Sequence, residues 1–213
     1  MRVIPLFAAA MTAGLSVSGC AGGMTKAECA DADWAALGLQ DGRAGAPGEV
    51  AEKRKAACAG DGYLVDADAY DAARREGLET YCTPKGGFEA GRTVGEYFGA
   101  CAGEQEAQFL TSFALGDKLH DLTEAKERAV RDYETAIADL DQHRYLLRVS
   151  EKRYLKPSIS NEDREQERQD ADFRRREIAR IEGKIPEMLR EIEDARAALE
   201  AYRIELLSMG LEL

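Results

Sequence analysis

The stretch IARIEGKIPEMLREIEDARAALEAYRIEL, residues 178–206, decides the fold of this chain of 213 residues. Its large apolar residues are separated alternately by three and four positions, and the pattern continues to the end of the sequence. This spacing is the a/d seam of a heptad repeat, which is typical of a coiled coil. We therefore predict a long helix that packs its apolar stripe against a second helix. The seam residues are Ile178, Ile181, Ile185, Met188, Ile192, Ala195, Leu199, Tyr202, Leu206, Met209 and Leu213.

The preceding stretch supplies the second helix, because it carries the same heptad spacing. A turn near residues 156–161 separates the two stretches, since Pro157 stops the first helix and Ser160 or Asn161 can cap the second. Two long helices with a short connection pack antiparallel. Residues 104–213 are therefore predicted to form an antiparallel coiled-coil hairpin. The seam residues of its first helix are Leu115, Leu119, Leu122, Lys126, Ala129, Tyr133, Ala136, Leu140, His143, Leu147, Ser150 and Tyr154.

Folding the chain at this turn predicts which seam residues meet. Near the base Leu115 lies opposite Tyr202, and farther along Ala136 lies opposite Ile181. Pro186 falls inside the second helix, where we expect it to kink the helix rather than end it, because the heptad phase continues across it.

Toward the turn the two seams no longer match. The opposing stretch 162–176 supplies only Ala171 and Phe173 among many charged residues. An unmatched apolar strip costs stability in water, so another envelope protein or a second copy of this chain is expected to cover it. The alternative is that the tip frays, with the strip shielded by long Arg and Glu stems. The predicted partner-binding residues are Tyr145, Leu146, Leu147, Val149 and Tyr154, with Leu155 beside them.

The N-terminal residues 1–19 read as a lipoprotein signal peptide. Arg2 precedes an apolar run that ends in Val17-Ser18-Gly19-Cys20, a bacterial lipobox whose cysteine receives lipid. The run is shorter than the roughly twenty residues that span a bilayer. Because Ala21 follows Cys20, rather than the Asp that retains lipoproteins at the inner membrane, we expect a lipid anchor on the periplasmic face of the outer membrane. The alternative is a chance cysteine after an ordinary signal peptide.

Charge narrows the possible partners. The chain has 29 Lys and Arg against 40 Asp and Glu, a formal net charge of −11 at pH 7. This excess of acid argues against nucleic acid and against docking on anionic lipid through a basic patch. We therefore expect membrane contact through the lipid on Cys20.

Four cysteines remain once Cys20 carries lipid, and all lie in the first half of the chain. Four cysteines in an oxidising compartment usually form two disulfides. A zinc site is the rival, but no Cys-x-x-Cys or Cys-x-x-His pair is present, and no metal is predicted. The four are Cys29, Cys58, Cys82 and Cys101.

Residues 20–103 are predicted to form a small, glycine-rich helical domain around these cysteines. Helices are expected over Ala30–Leu39, over Glu49–Ala59, and from a cap at Asp66 to about Tyr81. Asp41-Gly42 and Gly45-Ala46-Pro47-Gly48 are expected to stop the first. If the first two lie antiparallel, Cys29 meets Cys58. Cys82 and Cys101 then pair, provided that the chain between them doubles back. The glycines that make this possible are Gly86, Gly87, Gly91, Gly95 and Gly99.

These residues carry a resemblance to a known family. Asp33-Trp34-x3-Gly38-x2-Asp41-Gly42, then Tyr70-x6-Gly77-Leu78-x2-Tyr81-Cys82, then Gly87-Phe88-x2-Gly91 and the later Tyr97, Cys101, Phe109, Phe113 and Gly116 resemble the bacterial envelope family catalogued as domain of unknown function 2799. The resemblance covers roughly residues 24–120. It implies a lipoprotein but no activity. Ala73 and the spacing from Gly91 to Gly95 depart from the pattern.

No residue is predicted to be catalytic and no cofactor is predicted, because no Ser, Cys or Lys stands in a nucleophile motif. His143 is interpreted as a packing residue of the seam and His120 as a surface residue. Trp34 is interpreted as core, although an exposed Trp34 would line a sugar-binding groove. The sequence therefore favours a non-enzymatic envelope lipoprotein, an adaptor or spacer that engages partners through its arm. The alternative is an enzyme or enzyme cofactor acting on peptidoglycan or glycans through the cysteine-rich domain.

Overall fold

The fold is taken from a computed structural model, which describes residues 23–93 and 96–211. The predicted signal peptide and Cys20 lie outside the described residues. Those ranges contain helices and no strand, which confirms the predicted mainly α fold. The helices are α1 (Lys26–Ala30), α2 (Trp34–Arg43), α3 (Gly48–Gly60), α4 (Ala67–Tyr81), α5 (Pro84–Thr93), α6 (Gly103–Tyr154) and α7 (Asn161–Ser208).

Contacts divide the chain into two compact units. The first holds the described residues up to Tyr81 together with Phe98–Ala100, and the second holds Cys82–Tyr97 and the chain from Cys101 onward. The sequence predicts a domain boundary after Gly103. The boundary between the two units lies earlier, after Tyr81, because α5 packs along α6 and so belongs to the second unit.

Both predicted cysteine pairs are bonded in the structure. Cys29 is joined to Cys58 in the first unit, with Cα atoms 5.3 Å apart. Cys82 is joined to Cys101 in the second unit, with Cα atoms 5.5 Å apart. Each unit therefore has its own covalent link.

In the first unit, α2 and α4 cross at a point where only glycine fits. A Cβ atom at Gly38 or Gly42 would collide with the backbone of α4, and one at Gly77 would collide with the backbone of α2. The predicted helix stop at Asp41-Gly42 is therefore wrong, because Gly42 serves the helix crossing. The helix continues to Arg43, and the chain turns at the other predicted stop, where Gly45 has a φ of +61°.

The start of this helix also differs from the prediction. The helix begins at Trp34 rather than Ala30, because the Asp33 carboxylate caps it by accepting the backbone N–H of Ala36 at 2.9 Å. Cys29 lies in the separate short helix α1.

In the second unit, α5 and α6 cross in the same way. A Cβ atom at Gly87 or Gly91 would collide with the backbone of α6, and one at Gly116 would collide with the backbone of α5. The sequence assigned Gly87 and Gly91 to a chain that doubles back. They lie instead inside α5, a helix that was not predicted, because a tight helix crossing needs glycine as much as a turn does.

The two crossings correspond residue by residue. The stretches GLQDGR (38–43) and GFEAGR (87–92) occupy equivalent places on α2 and α5, and their glycines meet equivalent backbone atoms of the partner helices. On each partner helix an aromatic residue stands seven positions before the glycine, as Tyr70 before Gly77 and Phe109 before Gly116. The cysteine-rich region therefore uses the same glycine-packed helix pair twice, and each time a disulfide joins the segments that precede the two helices.

Helices α6 and α7 form the predicted hairpin. Leu119, Leu199 and Tyr202 are buried in one cluster with Leu206 and Phe88. The Tyr202 hydroxyl donates a hydrogen bond to the Leu115 carbonyl at 2.9 Å, which confirms the predicted register at the base. At the turn, Ser160 caps α7 by accepting the backbone N–H of Asp163. Pro186 lies inside α7 without ending it, as predicted.

Candidate functional site

A comparison of the two equivalent helix pairs distinguishes the residues that the crossing needs from those that it does not. Where the first pair has Asp41 and Tyr70, the second has Ala90 and Phe109 at the equivalent positions. Asp41 is only 4% exposed and accepts hydrogen bonds from the Tyr70 hydroxyl and, at 2.7 Å, from Arg54 of α3. Burial, reinforced by the hydrogen bond to Asp41, raises the pKa of Tyr70 above its ordinary value.

This polar cluster is explained by its contact with α3. The second pair makes the same crossing with Ala90 and Phe109, so the crossing itself does not need the polar groups. Among the residues that the structure describes between α5 and α6 (96–102), there is no helix equivalent to α3. A buried carboxylate needs a charged or hydrogen-bonded partner, and Arg54 supplies one from α3. The cluster therefore fastens α3 to the helix pair.

Trp34 belongs to the core. It is 6% exposed, its ring meets that of Tyr70 edge-on at 6.4 Å between centroids, and its indole N–H donates to the Leu64 carbonyl at 3.3 Å. A sugar-binding tryptophan must offer its ring face to solvent. At 6% exposure Trp34 offers little surface to solvent, which confirms the core interpretation, although Trp34 is also one of the residues that line a groove with Leu64.

The two histidines also have packing surroundings. His143 faces the ring of Phe173 at 6.2 Å between centroids and lies beside Arg174. His120 Nδ1 lies 3.3 Å from the Arg92 carbonyl. Within residues 23–93 and 96–211, no group of three His, Cys, Asp or Glu side chains is placed to hold a metal ion.

The candidate site is the tip of the arm, where the sequence places its unmatched apolar residues. Leu146, Leu147 and Val149 are half-buried, whereas Tyr145 is 60% exposed and Tyr154 is 38% exposed. Tyr145 and Tyr154 are nine residues apart on a helix that turns about 100° per residue, so they lie on opposite sides of α6. The five residues therefore do not form one continuous strip.

Tyr154 belongs to a cleft between the ends of the two helices. The cleft has a volume of about 410 Å³, and Leu155 at its edge is 73% exposed. Ala171, which is 5% exposed, contributes from α7. The lining residues are Glu151, Tyr154, Leu155, Glu167, Arg168, Ala171 and Arg175.

Charged side chains cover part of this cleft. The Arg164 guanidinium lies 5.6 Å from the centroid of the Tyr154 ring and donates to the Tyr154 carbonyl at 2.7 Å. Arg175 bridges to Glu151 of α6 at 2.8 Å. Arginine stems therefore shield Tyr154, as the alternative interpretation of the tip expected, while Leu155 stays open to solvent.

Ionised groups dominate the outer face of α7 near the tip. Hydrogen bonds from Arg168 and then from Gln169 lower the pKa of Glu165 to about 2. Glu165 therefore remains a carboxylate in mildly acidic solution.

Charge at the tip differs from charge in the rest of the chain. Residues 139–180 carry eleven Lys and Arg against ten Asp and Glu, whereas the whole chain has a net charge of −11. The acidic excess therefore lies outside the tip. Electrostatic repulsion between two acidic proteins is weakest where the local charge is near zero.

Comparison with known proteins gives one match. Residues 33–118 match the family model described as Protein of unknown function (DUF2799), which confirms the resemblance seen in the sequence. The match begins at the capping residue of α2 and includes both glycine crossings, and the arm from Leu119 onward lies outside it. No curated protein and no solved structure matches the chain significantly.

Proposed function

We propose a function from the arm, because the DUF2799 family model matches only residues 33–118 and its description names no activity. The protein is a non-enzymatic adaptor or spacer of the bacterial cell envelope. Cys20 anchors it by lipid to the periplasmic face of the outer membrane, and the tip of the α6–α7 hairpin engages a protein partner. The observation that carries this proposal is the exposed Leu155 at a tip of near-zero charge.

The length of the arm supports the proposed role as a spacer. At about 1.5 Å per residue, α6 continues for about 54 Å beyond the family match before it ends at Tyr154. The two helices carry their turn far from α5, which packs against the first part of α6. Such an arm suits holding a partner at a distance.

The chemistry of the tip supports a protein partner. Leu155, together with the part of Tyr154 that Arg164 leaves exposed, offers apolar surface beside a rim of Arg and Glu side chains. An apolar centre with a polar rim is the pattern of a protein contact site.

We expect a photocrosslinking residue at position 155 to capture the partner in intact cells. A crosslinking residue at Leu189, which is 47% exposed on α7 well away from the tip, provides the control. The double substitution Tyr154→Ser and Leu155→Ser should remove the contact while lowering the melting temperature little, because Leu155 is largely exposed. Mass spectrometry of the crosslinked band identifies the partner, and a band containing two copies of this chain would identify the partner as a second copy.

The tip proposal fails if position 155 gives no more crosslinked product than position 189. It also fails if the double substitution unfolds the arm, because the two side chains would then be part of its core.

A further inference from the structure

We infer that Leu64, in the loop between α3 and α4, rests in the surface of the bilayer to which Cys20 is attached; this inference rests on the lipid anchor of the proposed function. Leu64 is 91% exposed, more than any other large apolar side chain among the described residues. Because nearly all of its side chain faces water, Leu64 gains more free energy than the other apolar side chains when an apolar environment covers it.

The loop holds Leu64 outward. Its neighbours Tyr63 and Val65 both pack against the core cluster of the first unit. The Tyr63 N–H donates to the Cys58 carbonyl at 3.0 Å, and the Leu64 carbonyl accepts the indole N–H of Trp34 at 3.3 Å. The backbone is therefore tied on both sides of the leucine, and the side chain points away from the core.

The N-terminal chain enters at the same edge of the unit. Met24 packs against the same core cluster, and its sulfur lies 3.8 Å from the Cys58 sulfur. Lys26 pairs with Asp61, three residues before Leu64, at 3.3 Å. Cys20 precedes Met24 by four residues, which span at most about 14 Å when fully extended. A lipid on Cys20 therefore brings the bilayer close to the edge that carries Leu64.

Nearby charges indicate the kind of lipid surface. Asp33 and Asp66 border the same groove as Leu64, where they cap α2 and α4. These carboxylates disfavour anionic headgroups. The surface that fits is zwitterionic, with the leucine inserted among the headgroups.

The test uses the full lipidated protein in phosphatidylcholine vesicles. An environment-sensitive fluorophore is attached through Leu64→Cys, and through Glu79→Cys as the matched control. Glu79 is exposed near the far end of α4, about 15 Å along the helix from the groove residue Ala69. At position 64 we expect emission to shift to shorter wavelength on vesicle binding and a lipid-attached quencher to reduce it. At position 79 neither change is expected.

Two results would overturn the inference, and they can be told apart. If the protein sediments with the vesicles but position 64 behaves like position 79, the anchor stands and Leu64 does not contact lipid. If the protein does not sediment, the anchor itself is absent and the inference fails with it. Leu64→Ser should keep the melting temperature of the natural protein, since a lowered value would show that the side chain serves folding.

Discussion

At the scale of single residues, the glycines of the two crossings set the distance between the paired helices. At Gly42 the nearest atoms to an added methyl group are backbone atoms of Arg74 and Gly77, which cannot rotate away as a side chain can. At Gly183, inside α7, an added methyl group meets open space. The same substitution should therefore have opposite effects at the two positions.

We expect Gly42→Ala to lower the free energy of unfolding by about 1–3 kcal/mol, because the helices must separate to admit the methyl group. We expect Gly183→Ala to raise it by about 0.5–1 kcal/mol, because alanine loses less conformational entropy in a helix than glycine. Denaturant unfolding of the two variants measures both values. Equal effects at the two positions would show that the crossing tolerates a side chain.

These glycines also belong to the part of the fold that could not be predicted from the sequence. Glycine is favoured both in turns and in close helix contacts, so Gly87 and Gly91 alone do not reveal a helix. The informative signal was the repeated spacing of GLQDGR and GFEAGR, each paired with an aromatic residue seven positions before a glycine. The cysteine pairs were predictable because each pair encloses a chain segment that can reverse direction.

At the scale of helices, α6 belongs to two packing arrangements. Its face with Phe109, Phe113 and Gly116 meets α5, while Leu119 lies in the cluster shared with α7. The heptad spacing predicted the second face correctly, because large apolar residues every three or four positions leave one possible seam. It did not reveal the cleft at the tip, since the ion pairs and the ring contact of Arg164 depend on long flexible side chains.

Helix α7 contains an exposed proline that its seam does not require. Pro186 lacks the N–H that would bond to the carbonyl four residues earlier, and proline is about 3 kcal/mol less favourable than alanine inside a helix. We expect Pro186→Ala to raise the free energy of unfolding by up to about 3 kcal/mol, measured by denaturant unfolding. The neighbouring exposed residue provides the control, Glu187→Ala, which should change stability little. A loss of stability in Pro186→Ala would instead show that the arm needs the proline.

At the scale of the whole molecule, the proposed attachment to the membrane rests on residues that lie outside the described ranges. Within the described ranges, no helix is long and apolar enough to cross a bilayer. The proposed attachment depends on the lipobox ending in Cys20, which also accounts for the odd number of cysteines once the two disulfides are formed.

We expect Cys20→Ser to leave uncleaved precursor that takes up no labelled palmitate, because the acceptor of the lipid is gone. Gel mobility and radiolabel incorporation in growing cells measure both effects. Ser18→Ala, a small-residue exchange within the lipobox, should be processed and labelled normally. Normal labelling of Cys20→Ser would end the lipoprotein interpretation.

The heptad seam of α6 and α7 also restricts how the reach of this arm can change in evolution. Removing seven residues from each helix at facing positions preserves the seam and shortens the arm by about 10.5 Å. Removing three or four residues locally overwinds or unwinds the coiled coil, and other small numbers rotate the remaining apolar residues out of register. Relatives that carry such an arm should therefore have arms whose lengths differ by whole heptads. Under the spacer proposal, the number of heptads would reflect the distance between each protein's anchor and its partner.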